Sequence, residues 1–104
     1  MKEINVSQEP SQKFSVNLNN HNWGITLRDI GDSMLMDVEL DGAALVSGIY
    51  LLPNQPLLPY NHVAKYGNFI LLSESTEYPT WKTIGISSKL YFITPEEMRE
   101  IANG

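Results

Sequence analysis

The sequence predicts an all-β fold, either a small antiparallel β-barrel or a two-sheet sandwich of about seven strands with a short C-terminal helix. Apolar and polar residues alternate along most of the chain, which is the period of a strand with one buried face. Turn signals separate these runs, most clearly Asp41-Gly42, which is typical of a short hairpin. Closure into a barrel or a sandwich is favoured because one flat sheet would expose two edges.

The predicted strands form a meander before the chain reaches a proline-rich segment. A hairpin is expected over residues 12–30, with its turn at Asn19 to Asn22, because asparagine tolerates left-handed backbone. Residues 73–80 are polar and predict a loop, and residues 81–86 suit either a short strand or an extended cover. The other strands are expected around Ile4 and Val6 and over 34–40, 44–50, 68–72 and 89–93.

A short helix is predicted near the end of the chain. Thr94-Pro95-Glu96-Glu97 supplies an N-cap, a proline at the first helical position and a glutamate that completes a capping box. The helix is expected over residues 95–102, with Met98 and Ile101 as its apolar face. A helix this short is marginal alone, so both side chains are expected to dock on the sheet or on a neighbour.

Composition is that of a globular protein, and it excludes several classes of function. The apolar fraction is 42%, and one β domain is expected over residues 1–104, with its core over 4–93. The net charge is −5 and the seven basic residues are scattered, so neither specific nucleic acid nor a membrane is an expected partner. The absence of cysteine excludes disulfides and cysteine-based metal sites.

The first residues alternate like a strand and carry no apolar signal-peptide region. No apolar run reaches the ~18 residues that a membrane span needs. We therefore expect a protein that is made and kept in a cytosol, or exported by a route that needs no signal.

No constellation of residues predicts catalysis. His21 and His62 fall in separate expected loops, where a solvated surface histidine is the simpler interpretation. The acidic residues around the second hairpin do not have calcium-loop spacing, because residues 34–36 interrupt them, and a solvated strand face is the simpler interpretation. Neither a nucleophile elbow nor a phosphate-binding glycine loop occurs. We expect no catalytic residue, no cofactor and no metal site, and an enzyme is the least favoured class.

Aromatic residues leave a second class of function open, a β-type carbohydrate- or peptide-binding module. In a β domain such residues more often fill core and interface positions than sugar-stacking platforms. The alternative predicts glycan binding that is lost on Trp23→Ala or Trp81→Ala. The seven tyrosines and tryptophans are Trp23, Tyr50, Tyr60, Tyr66, Tyr78, Trp81 and Tyr91.

The most informative segment is residues 53–59, which holds three prolines and stays hydrophobic. Proline has no backbone N–H and a fixed φ, so the segment cannot lie inside a regular sheet or helix. A stiff apolar segment either packs over an open core or is offered to another chain. Together with the helix face, it gives the predicted interface: Leu51, Leu52, Pro53, Gln55, Leu57, Leu58, Tyr60, Met98 and Ile101.

An ordered series of motifs resembles the small baseplate plug proteins of contractile-tailed bacteriophages and prophages. The chain departs from that pattern over residues 73–77 and in its C-terminal helix. The motifs are Pro10-x-Gln12-x-Phe14, the strand Trp23 to Leu27, Leu45-Val46-x-Gly48-Ile49, Pro53-x-Gln55-x-Leu57-Leu58 with Tyr60, Gly67-x-Phe69, and Ile84-Gly85 before Leu90-Tyr91-Phe92.

The resemblance implies a structural virion protein of the tail baseplate, near the central spike or hub and the tail tube. Such a protein helps to hold the baseplate together and to close the tail lumen until contraction. The implied partners are spike, hub and tail-tube proteins, with several copies in the particle and assembly in the host bacterial cytoplasm. The family brings no catalytic residues.

Overall fold

The computed structural model describes residues 1–59 and 65–103 of the chain, and the side chains up to residue 100. This part of the chain folds into two antiparallel β-sheets and one short helix. The small sheet has the order β1-β7-β6 and the large sheet the order β2-β3-β4-β5. The elements are β1 (Lys2–Ile4), β2 (Ser11–Leu18), β3 (His21–Asp29), β4 (Met34–Leu40), β5 (Ala43–Tyr50), β6 (Asn68–Ser73), β7 (Ser88–Ile93) and α1 (Pro95–Asn103). The described strands form two separate sheets rather than a closed barrel, so the two-sheet sandwich is confirmed.

The large sheet is the predicted meander, and two of its three connections are two-residue turns. Asn19 and Asn20 have φ of 54° and 66°, and Asp41 and Gly42 have φ of 51° and 88°. Positive φ at both central residues matches the right-handed twist of the flanking strands. The first turn is shorter than predicted because residues 21 and 22 already pair with β2.

The core lies between the sheets and is centred on three aromatic rings. Trp23 of the large sheet meets Phe69 and Phe92 of the small sheet edge to face, with centroids 5.2 and 5.6 Å apart. The buried indole Nε1–H donates to the carbonyl of Leu18 at 3.1 Å. Edge-to-face rings with a satisfied N–H stabilise the packing of the two sheets.

Two segments differ from the predicted strands. Strand β1 ends at Ile4, before Val6. Residues 81–87 form turns rather than a strand, because the carbonyl of Thr83 accepts the N–H groups of Ile86 and Ser87 at 3.1 Å each. Ile84 is fully buried in this turn, which makes the segment a cover over the core.

Helix α1 begins with the predicted capping box. The Thr94 N–H donates to Glu97 Oε1 at 3.0 Å, and the Glu97 N–H donates to Thr94 Oγ1 at 3.2 Å. Met98 is buried in the core, so α1 docks on its own chain through this side chain. The side chain of Ile101 lies outside the described residues.

Candidate interaction surface

The proline-rich segment runs along the edge of β6 and covers it. The N–H of Asn54 donates to the carbonyl of Leu71 at 2.6 Å, and the N–H of Leu57 to that of Phe69 at 2.9 Å. Pro53 and Pro56 lie beside β6 as isolated bridge partners. Proline offers no N–H for a further strand, so its presence here blunts an edge that would otherwise pair with another chain.

Two asparagines fix this segment in place. The side chain of Asn68 is buried; its Oδ1 accepts the N–H of Leu58 at 2.9 Å, and its Nδ2 donates to the carbonyl of Leu58 at 3.0 Å. Asn54 Oδ1 accepts the N–H of Ser73 at 3.0 Å. The segment is therefore held at both ends by side chains that replace regular strand pairing.

The predicted interface residues divide between core and surface. Leu51, Leu58 and Met98 are only 1%, 3% and 6% exposed, so in this conformation they stabilise the chain itself and offer no surface to a partner. Tyr60 lies outside the described residues, as does the side chain of Ile101. The residues that remain predicted interface residues are Leu52, Pro53 and Leu57, which are half-buried, and Gln55, which is exposed.

An exposed apolar groove lies where the proline-rich segment begins. Three of its large side chains are about half exposed: Ile30 (48%), Tyr50 (54%) and Tyr78 (53%). They line a cavity of about 310 Å³. We call this cavity the Tyr50 groove; it is lined by Ile30, Asp32, Ser33, Tyr50, Leu52 and Tyr78.

Hydrogen bonds donated by main-chain N–H groups hold the walls of the Tyr50 groove together. Asp29 Oδ1 accepts the N–H of Gly31 at 2.8 Å, and its Oδ2 accepts the N–H of Trp81 at 3.0 Å. This carboxylate thus ties the β3–β4 turn to the segment before β7. The N–H of Leu51 donates to the carbonyl of Met34 at 3.0 Å, which fixes the third wall.

The sequence carries a signal for this surface that lies outside its motifs. Residues 42–64, between Asp41 and Lys65, contain no Asp, Glu, Lys or Arg. The run includes edge strand β5 and the proline-rich segment. Exposed sheet edges usually carry charges that prevent unwanted pairing, so a charge-free edge indicates a covered surface. Ile30 and Tyr78 reach the groove from distant loops, and no local pattern could have found them.

One acidic residue of the second hairpin, Asp37, has a structural role. Asp37 Oδ1 accepts the N–H of Gly48 at 2.7 Å, the hydroxyl of Ser47 at 3.1 Å and Arg28 Nη2 at 3.0 Å. The bonds from Gly48 and Ser47 fasten β5 to β4 where their register shifts, and the bond from Arg28 joins β4 to β3. Above all the Gly48 N–H, which favours the charged carboxylate, holds the pKa of Asp37 below its ordinary value.

His21 braces the neighbouring ends of two hairpins. Its Nδ1 lies 2.7 Å from Asp41 Oδ2, and its ring meets that of Tyr66 edge to face at 5.1 Å. The N–H of Asn22 donates to Asp41 Oδ1 at 2.9 Å and is the main reason why the pKa of Asp41 lies below its ordinary value. His62 lies outside the described residues.

The structure places the two tryptophans differently. Trp23 is fully buried, so it cannot serve as a sugar-stacking surface in this fold. Trp81 is half-buried, with Lys82 Nζ 5.7 Å from its ring centroid. Within residues 1–59 and 65–103, no three His, Cys, Asp or Glu side chains are arranged to hold a metal ion. The same residues include no helix with the length and apolar character of a membrane span.

The fold and its groove define a small two-sheet β-sandwich with an exposed apolar surface. A family model described as cyanophage baseplate Pam3 plug gp18 matches residues 1–96. Because the match covers most of the 104 residues, the chain belongs to this baseplate plug family. No curated protein matches the chain.

Family membership confirms the resemblance seen in the sequence motifs. It supports a structural role in a phage baseplate, a location in the virion tail baseplate, and interaction with other baseplate proteins. The match ends in the first turn of α1, so most of this helix lies beyond the family pattern.

Proposed function

We propose that this protein is a non-enzymatic plug of a phage or prophage contractile-tail baseplate, which packs near the central spike or hub and the tail tube and helps to close the tail lumen before contraction. The family match over residues 1–96 carries the proposal. The proposed partners are spike, hub and tail-tube proteins, with several copies of this chain in the particle. Assembly takes place in the cytoplasm of the bacterial host.

The stiffness of the proline-rich segment supports this role. A plug must keep its shape while neighbours pack against it, and a segment that is already ordered loses little entropy on docking. Here three prolines fix φ, and Asn54 and Asn68 tie the segment to β6. Leu52, Pro53, Gln55 and Leu57 are the proposed contacts on this face.

Deletion of the gene in its phage or prophage tests the proposal. We expect induced cells to yield particles with incomplete baseplates or prematurely empty heads, and a plasmid copy to restore intact particles. A reconstruction of the restored particles should show this chain beside the tail axis, at the end of the tube. Complete, infectious particles that lack the protein would contradict the structural role, and density at the baseplate periphery would contradict closure of the lumen.

A further inference from the structure

We propose that the Tyr50 groove receives an apolar segment of a neighbouring baseplate protein that carries one arginine. The inference rests on the proposed function and names the chemistry of one partner contact. An apolar side chain of the partner fills the space between Ile30 and Leu52. The guanidinium stacks on a tyrosine ring and pairs with Asp32.

The apolar part of the argument comes from exposure. Ile30, Tyr50 and Tyr78 each leave about half of their surface in water, although they line one cavity of about 310 Å³. Clustered exposed apolar side chains, and tyrosines above all, mark protein contacts. The charge-free run over residues 42–64 supplies one wall of the cavity, through Tyr50 and Leu52.

The charge of the partner follows from Asp32. Among the described residues that line the groove, Asp32 is the one charged side chain, and the chain as a whole has a net charge of −5. A carboxylate beside tyrosine rings suits a guanidinium, which binds carboxylates through two parallel hydrogen bonds and also stacks on aromatic faces. Arginine is therefore favoured over lysine, and an anionic partner is disfavoured.

The groove is preformed, so that docking needs little rearrangement. Both oxygens of the Asp29 carboxylate are used to join its walls, through the N–H groups of Gly31 and Trp81. The N–H of Ile30 also donates to the carbonyl of Ser33 at 3.0 Å, which closes the turn that presents Asp32. Rigid binding surfaces lose less entropy on association than mobile ones.

A second copy of this chain is a poorer occupant. Two copies with a net charge of −5 each repel one another on approach, and complementary charge is what guides association. A positively charged segment of a different protein is instead attracted by the net negative charge of this chain. The charge argument thus favours a heterologous partner.

The test uses overlapping peptides from the spike, hub and tail-tube proteins encoded beside this gene, immobilised and probed with the labelled full-length chain. We expect the strongest binders to contain an arginine flanked by apolar residues. Replacement of that arginine by glutamine should weaken binding about tenfold or more. Asp32→Lys, Tyr50→Ala and Tyr78→Ala should each weaken the same interaction.

Three controls separate a specific loss from misfolding. Leu72→Ala and Ile86→Ala alter exposed apolar side chains outside the Tyr50 groove, and both should bind the peptides like the unchanged protein. Asp32→Lys should regain binding to a peptide in which glutamate replaces the arginine. The circular dichroism spectrum of every variant should match that of the unchanged protein.

Four results would overturn the inference: no peptide binding, equally tight binding to peptides without a cation, self-association that Tyr50→Ala abolishes, or glycan binding that Tyr50→Ala abolishes. Particles that incorporate the Asp32→Lys, Tyr50→Ala double variant normally would also overturn it, while leaving the proposed function intact. Failure of the proposed function has a different signature, namely complete particles after deletion of the gene.

Discussion

At the scale of single residues, short polar side chains fix the backbone where strands bend or end. Asp29, Asp37, Asn54 and Asn68 each accept main-chain N–H groups from another part of the chain. A sequence pattern shows such residues only as solvated acids or turn formers, because their partners are distant in sequence. This explains why the acidic residues of the second hairpin are predicted as a solvated face, whereas Asp37 is structural.

The Asp37 carboxylate is expected to make stability depend on pH. Its folded-state pKa lies below the ordinary value of 3.8, so its contribution is fully present above that value and is lost as the pH falls through the folded pKa. Asp37→Asn should therefore be less stable than the unchanged protein at neutral pH, and the difference in the free energy of unfolding should shrink in acid. Urea unfolding over a pH series measures this difference.

Glu74→Gln, in the exposed loop after β6, is a suitable control and should change stability by less than about 0.5 kcal/mol at neutral pH. A difference for Asp37→Asn that stays constant down to the most acid pH would show that its charge is unimportant.

Two glycines offer a matched test of steric fit. Both Gly31 and Gly67 have positive φ, 112° and 122°. A Cβ at Gly31 would meet no atom within 4 Å, whereas one at Gly67 would overlap the Phe92 ring and lie 2.8 Å from the Ile93 carbonyl oxygen. Gly31→Ala should cost about 1–2 kcal/mol of backbone strain. Gly67→Ala should cost on the order of 1–3 kcal/mol more, because Phe92 must move.

Thermal and urea unfolding of both variants measure these costs. Equal losses of stability would mean that the region around Phe92 relaxes freely and that the close approach of Gly67 is unimportant.

At the scale of elements, the proline-rich segment acts as the cover of a sheet edge as well as a candidate interface. Its composition predicts that it cannot join a regular sheet, and the sequence leaves open whether it covers the core or meets another chain. The structure shows how it does the former: Leu51 and Leu58 enter the core, and Asn54 and Leu57 donate to β6. Which leucine points inward depends on the hydrogen bonds between the Asn68 side chain and the main chain of Leu58, which we call the Asn68 clamp. No local sequence pattern contains this contact.

Loss of the Asn68 clamp should destabilise the protein and uncover β6. Asn68→Ala removes two bonds to Leu58 and one to the Phe69 N–H, and it leaves buried main-chain groups without partners. The expected loss is about 2–4 kcal/mol, together with aggregation through the uncovered edge. Urea unfolding and light scattering measure the two effects.

Asn17→Ala, at an exposed position of β2, is the matched control and should remain soluble with nearly unchanged stability. An Asn68→Ala variant that is as stable and as monodisperse as the unchanged protein would refute the proposed role of the clamp.

At the scale of the whole molecule, local patterns predict the strands but not how they are shared between the sheets. Alternation, two turn signals and one capping box account for most element bounds. Pairing of β1 with β7 joins Lys2 to Phe92 across nearly the full chain, and such distant pairing leaves no local trace. The Tyr50 groove likewise draws its walls from three separate segments. Of these walls, only the one formed by the charge-free run could have been predicted from the sequence.

The charge-free wall also determines which chemical probes can detect the proposed contact. No lysine occurs between Lys13 and Lys65, so amine-reactive crosslinkers find no anchor on the charge-free wall itself, even in an intact particle. Their silence there would carry no information about neighbours. Coupling through the carboxyl group of Asp32, or a photoreactive amino acid in place of Tyr50, would reach the partner directly.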